Sequence, residues 1–246
     1  MSSTLDRVIA RLIATQVRLL ACQARLAVAT DSEALHDLRT ATRRLRSLLR
    51  PLRGLPGIDR LEEAARALGN LTTPLRDQEV LASHLPHAPQ PSEAVYPGVA
   101  ESTELSQLLR LIDAIVPLLR TSASYGVGDK LDRTLKKSLG KQWRKLAKAM
   151  KDPGHDRHRL RLLIKRVRYG GEAYPEHDPV AQGLAKALKN AQGALGDWHD
   201  RVQWLHQADA QSALASYRPQ WQTELHKAEG LADKALARLE RAMAKR

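Results

Sequence analysis

His36-Asp37-Leu38-Arg39-Thr40-Ala41-Thr42-Arg43-Arg44-Leu45-Arg46 is written a second time, with its basic frame kept, as His158-Arg159-Leu160-Arg161-Leu162-Leu163-Ile164-Lys165-Arg166-Val167-Arg168. The offset is a constant 122 positions, from 36 to 158 and from 46 to 168. An α-helix turns by about 100° per residue, so His36, Arg39, Arg43, Arg46 and Arg50 share an arc of about 80°. Leu38, Leu45, Leu49 and Leu52 point the other way, toward a core. His158, Arg161, Lys165 and Arg168 repeat the arc in the second copy. A helix with one basic and one apolar face, used twice, predicts an all-α protein.

Working outward, apolar residues recur at helical spacing almost throughout, with no alternating run for a strand. Caps and breakers place helices at 4–29, 32–53, 58–71, 74–85, 102–121, 129–151, 155–173, 178–195, 197–208 and 219–245. Pro86, Pro89, Pro91 and Pro97 mark a loop between the fourth and fifth. Arg11, Arg18 and Arg25 match Arg133, Lys141 and Lys148 at offsets of 122 or 123, and half of the 246 residues is 123. Leu68-Gly69 followed by Arg76-Asp77 is echoed more loosely by Leu195-Gly196 followed by His199-Asp200. The expectation is a tandem duplication filling one domain, 1–246, with a helical half at 1–122, another at 123–246 and about five helices in each. The seam falls at 121–128.

Composition narrows the partner. Lys and Arg number 40 against 27 Asp and Glu, a net charge of +13, so an acidic partner is expected: nucleic acid, an anionic membrane surface or a polyphosphate. Cys22 is the only cysteine, which excludes an internal disulfide framework and suits a reducing compartment. The most apolar stretch, 105–119, is interrupted by Arg110, Asp113 and Pro117, so no membrane span is expected. A cytoplasmic protein follows as the default.

The placement of charge carries more than its total. Arg7, Arg11, Arg18 and Arg25 lie within about 40°, and Lys130, Arg133, Lys137, Lys141, Arg144, Lys148 and Lys151 within about 80°. No Asp or Glu occurs between Arg7 and Thr30, Leu38 and Ile58, Arg133 and Lys151, or Arg157 and Gly171. A merely solvated basic face usually carries acids one helical turn away. Four rows without them repel themselves until a polyanion relieves the strain. Arg grips phosphate oxygens in a planar fork, and Lys adds a mobile point charge. Arg11, Arg18, Arg25, His36, Arg39, Arg43, Arg46, Arg50, Arg133, Lys137, Lys141, Arg144, Lys148, His158, Arg161, Lys165 and Arg168 are therefore the candidate phosphate-binding residues. His36 and His158 begin their rows near helix N-termini, where they serve either as phosphate donors or as structural links between helices. Asp77 and Asp200, with Arg76 and His199, read as caps or as partners that orient the basic residues.

The paired His-x-x-Arg-x-x-x-(Arg/Lys)-Arg-x-Arg helices resemble the CHAD family, the conserved histidine α-helical domain. The second copy, 158–169 with Glu172 following, is the more typical, and Ala194–Val202 and, more loosely, Leu75–Val80 are similar to the family's other recurring segments. The resemblance spans nearly the whole chain. It implies two pseudo-symmetric helical-bundle halves around a basic central groove or pore. It also implies specific binding of inorganic polyphosphate, often at polyphosphate granules, through the basic rows named above. Glu172 stands where the first copy has Arg50, and is expected to pair with a nearby cation.

Catalysis is not expected. The Glu-x-Glu-x-Lys strand of triphosphate tunnel enzymes, sometimes fused to CHAD domains, is missing from this sequence. So are a phosphate-binding P-loop, a His-Glu-x-x-His helix and a Gly-x-Ser-x-Gly turn. His155-x-x-His158 has ligand spacing but no carboxylate or cysteine with it, so neither metal nor cofactor is expected. Sequence-nonspecific nucleic-acid binding by the same basic rows is the alternative. Against it, aromatics make up 4% with no Phe, which leaves few stacking platforms. Membrane-surface binding would need an apolar face exposed beside a basic one, whereas the apolar faces are expected inside the bundles.

Overall fold

The computed structural model describes residues 3–29, 31, 33–85, 95–123, 127–152, 154–180 and 182–244. Among them ten α-helices follow one another: α1 (Thr4–Ala27), α2 (Glu33–Leu49), α3 (Ile58–Leu71), α4 (Thr73–Ala82), α5 (Val95–Ala100), α6 (Thr103–Ala123), α7 (Val127–Met150), α8 (Arg157–Ala173), α9 (Gln182–Ala210) and α10 (Arg218–Ala244). No strand occurs among the described residues. The chain forms two compact units, residues 1–135 and 136–246, with the division inside α7.

In the first unit, Ser3 and Asp6 close a capping box that starts α1. The Asp6 amide donates to Ser3 Oγ at 3.1 Å, and the Ser3 amide donates to Asp6 Oδ2 at 2.9 Å. Leu5, Leu12, Leu19 and Leu26, seven residues apart, form a buried spine on α1. It packs on α2, whose Leu35, Leu38, Leu45 and Leu49 are fully buried. The apolar side of the motif helix is thus the core side, and its basic side is left outward. Pro51 cannot supply an amide for a further α-helical bond, and the expected helix to 53 instead finishes as a 3-10 turn at Arg50–Leu52. Gly57 caps the start of α3 with φ 78°, a left-handed turn that favours glycine, and a Cβ there would lie 2.5 Å from Ile115 Cδ1 on α6, which would have to shift. α3 rests on α2 and α6, and α1 on α2, α5 and α6.

In the second unit, Asp156 caps α8 by accepting the Arg159 amide at 2.7 Å. Leu146 of α7, Ile164 of α8, Leu188, Ala191 and Leu195 of α9, and Ala232 and Leu239 of α10 make one core. Trp143 and Trp198 pack against it, half-buried. Trp204 and Trp221 are buried with ring centroids 5.8 Å apart. All four tryptophans therefore serve packing.

Two expectations about element number change. Helices at 178–195 and 197–208 are a single helix, α9, which starts at Gln182 and runs unbroken through Gly196. Glycine stops a helix when the backbone turns left-handed, and no proline follows Gly196 to force the turn. In the first unit the comparable Leu68-Gly69 does lead to a break, because Pro74 fills the first turn of a new helix. The second change is α5, a short helix containing Pro97, in a segment read as loop. Six α-helices thus precede residue 124 and four follow residue 126, in place of five and five. The loop prolines 86, 89 and 91, and seam residues 124–126, lie outside the described residues.

Candidate functional site

α2 holds its basic side chains against the α3–α4 turn. Arg39 Nη1 donates to Thr72 Oγ1 at 2.8 Å, and more weakly to the Gly69 carbonyl and Thr73 Oγ1, both at 3.3 Å. Burial lowers the Arg39 pKa from its ordinary value; nearby Asp77 opposes that shift, while Arg76 and Arg43 add to it. Asp77 moves up, because loss of hydration outweighs the attraction of Arg39 and Arg76. Arg46 reaches the same turn near Gly69, and its Nε is buried with no hydrogen-bond partner. Arg43 is exposed and donates from Nη2 to Thr40 Oγ1 at 3.2 Å; His36 Nε2 lies 3.5 Å from the same hydroxyl. Arg50 stands half-buried in the 3-10 turn.

α8 repeats this plan within the second unit. Arg161 is half-buried, and burial lowers its pKa while nearby Asp200 and Tyr169 oppose the shift; its Nε also lacks a partner. His158 is exposed at the start of α8, with its ring centroid 5.1 Å from that of His199 on α9. Burial, then the charges of Arg161, His158 and Lys165, push the His199 pKa down to about 4. Lys165 is half-buried. Arg168 is committed to structure: it donates to Gln192 Oε1 at 2.9 Å, lies over the Tyr169 ring, and pairs with Glu172 at 2.7 Å. Glu172 thus finds the cation expected for it.

On α1, Arg11 is half-buried and Arg18 exposed, whereas Arg25 is held by acids. Its guanidinium meets Asp31 at 2.6 Å and Asp37 at 2.7 Å, and these bonds, led by Asp31, raise its pKa. The row is free of acids along the sequence but not in space. α7 differs: Arg133, Lys137, Lys141, Arg144 and Lys148 are all exposed, and none has a hydrogen bond or ion pair among the described residues.

Arg76 and His199 belong beside the candidates, although the sequence suggested only caps or orienting partners. Arg76 stands close enough to Arg39 to depress its pKa and pairs with Glu79 at 3.3 Å, while His199 faces His158. The signal for both was the repeated basic-Asp dipeptide after a glycine. Among the described residues no group of His, Cys, Asp or Glu could hold a metal ion, and no helix is long and apolar enough to cross a membrane.

Fold and site together define an all-helical protein whose repeated motif helices turn their apolar side inward and their basic side outward. The CHAD domain family model matches residues 11–209, and the chain belongs to that family. Its fold is similar to that of the CHAD domain from the plant Ricinus communis, at 23% identity and a TM-score of 0.59, over 98% of this chain and 88% of that one. No curated protein matches the chain.

Proposed function

We propose that this chain binds inorganic polyphosphate without catalysis, through the basic rows of α1, α2, α7 and α8, in the cytoplasm and at polyphosphate granules. The observation that carries the reading is the open row on α7. Arg133, Lys137, Lys141, Arg144 and Lys148, all exposed, stand about 4 to 6 Å apart along the helix axis with no acid to neutralise them. Such a row repels itself when empty and is relieved by an extended anion that touches several cations at once. Displacement of counterions would then drive binding and make it fall steeply with salt. Arg39 and Arg161, held beside Asp77 and Asp200, give each motif helix a fixed cation at the edge of its row.

Substituting Arg133, Lys137, Lys141, Arg144 and Lys148 together by Gln tests this. All five are exposed, so circular dichroism and thermal melting are expected to change little. Affinity for long-chain polyphosphate is expected to drop by about two orders of magnitude or more, with a shallower salt dependence. Unchanged affinity in a folded variant would refute the assignment to α7.

A further inference from the structure

α1 has three faces. Leu12 and Leu19 are fully buried, and Arg11 and Arg18 flank them on one side. The third face holds Ala10, Ile13, Ala14, Val17, Leu20, Ala21 and Ala24, every one exposed, with no polar residue among them. Ile13 is 38%, Val17 60% and Leu20 47% exposed, and Val28 at the helix end is 68% exposed. Together they leave roughly 500 Å² of contiguous apolar surface, as large as the largest patch an ordinary monomer exposes and of a size that is often functional. The expectation that every apolar face is used inside a bundle fails here.

The pattern on this face is symmetric about Val17. Positions 10, 13 and 14 lie seven, four and three residues before it, and 24, 21 and 20 lie the same distances after it. In an antiparallel pair with its two-fold axis at Val17, Ile13 meets Ala21, Leu20 meets Ala14, Ala10 meets Ala24, and Val17 meets itself. Ile13 and Leu20 are each set against an alanine, the self-complementarity that an isologous interface requires. Two such faces cover about 1,000 Å² in total, where specific interfaces begin. A lipid surface suits the face less well, since interfacial helices insert Trp, Phe and Leu, and four of the seven residues here are alanine.

We propose that α1 is a homodimer contact, in which two copies of this chain pair antiparallel through α1 about an axis at Val17. The contact is separate from the polyphosphate reading and is measured without polyanion. Sedimentation equilibrium of the full chain over a concentration series is expected to show monomer and dimer in exchange. Val17→Glu with Leu20→Glu is expected to give monomer at every concentration, with circular dichroism and polyphosphate binding retained. Under mild oxidation Val17→Cys is expected to cross-link to itself. Ile13→Cys is not, because its partner copy would lie about 12 Å away along the axis; Cys22 is buried and stays silent. A monomer throughout, a dimer indifferent to the double substitution, or Ile13→Cys cross-linking as well as Val17→Cys would overturn the proposal. Flotation of a monomeric chain with phosphatidylserine vesicles, abolished by the double substitution, would overturn it in favour of a lipid surface.

Discussion

Ile13, Ala14, Val17 and Ala21 stand open to water on α1, whereas the positions 123 residues later on α7 hold Lys136, Lys137, Gly140 and Arg144. Both helices bury a leucine row and carry a basic row beside it. Their third faces differ. On α7 it is taken up by the basic row itself, with Lys136 added; on α1 it is apolar and shaped for another helix. Acids sharpen the contrast, because Asp31 and Asp37 take up Arg25 while the matched Lys148 has no partner among the described residues. The same helix plan therefore yields a surface suited to a polyanion in one place and a surface suited to a copy of itself in the other.

The motif helices show a parallel divergence. α2 leans on a broken support, α3 and α4, where the turn offers the Gly69 carbonyl and two threonine hydroxyls to Arg39. α8 leans on the continuous α9, where Gln192 meets Arg168. The largest effect should come from forcing one arrangement on the other. Asp197→Pro, in the interior of α9, is expected to cost about 3 kcal/mol or more. Pro74→Ala in the first turn of α4 should cost less than about 1 kcal/mol, since that amide needs no helical partner. Chemical denaturation of both variants decides whether Pro74 is what distinguishes the two supports.

Single charge reversals probe the two basic rows. Lys141→Glu on α7 is expected to lower polyphosphate affinity about tenfold, and Arg18→Glu at the matched place on α1 about threefold. Equal losses would mean that α7 has no special part.

The histidine pair gives a smaller, pH-dependent effect. His199 has a pKa of about 4, below the ordinary value of 6.5, so the unfolded chain takes its proton first and the folded state loses stability as pH falls from about 6.5 toward 4. A polyanion beside His158, Arg161 and Lys165 would offset the charges that depress it. Binding near pH 5.5 is therefore expected to take up a proton, read as different heats in buffers of different ionisation enthalpy. The uptake should shrink in His199→Gln. The smallest effect is at Arg25, already engaged by two carboxylates: Arg25→Gln should leave affinity within about twofold.

Much of this was legible in the residues. The spacing of His36, Arg39, Arg43 and Arg46 against Leu38, Leu45 and Leu49 sets both the helix and its buried side, and the structure keeps both. Periodicity could not show that α1 has two apolar faces of which one is open, because burial depends on what packs there. Nor could it show that Arg25 meets Asp31 and Asp37, since scanning one helix for acids misses those on the next. Gly196 misled for a related reason: a glycine marks a helix end only if the chain turns there, and the core contacts of Leu188, Ala191 and Leu195 carry α9 through. α5 was hidden among prolines, although Pro97 is tolerated within its first turn.

Whether the chain is a dedicated polyphosphate receptor is decided by calorimetric titration with long-chain polyphosphate at near-physiological salt, beside duplex DNA and single-stranded RNA. Tight polyphosphate binding that neither nucleic acid matches is expected. Comparable affinity for all three, collapsing together as salt rises, would contradict it and make the basic rows a general polyanion surface.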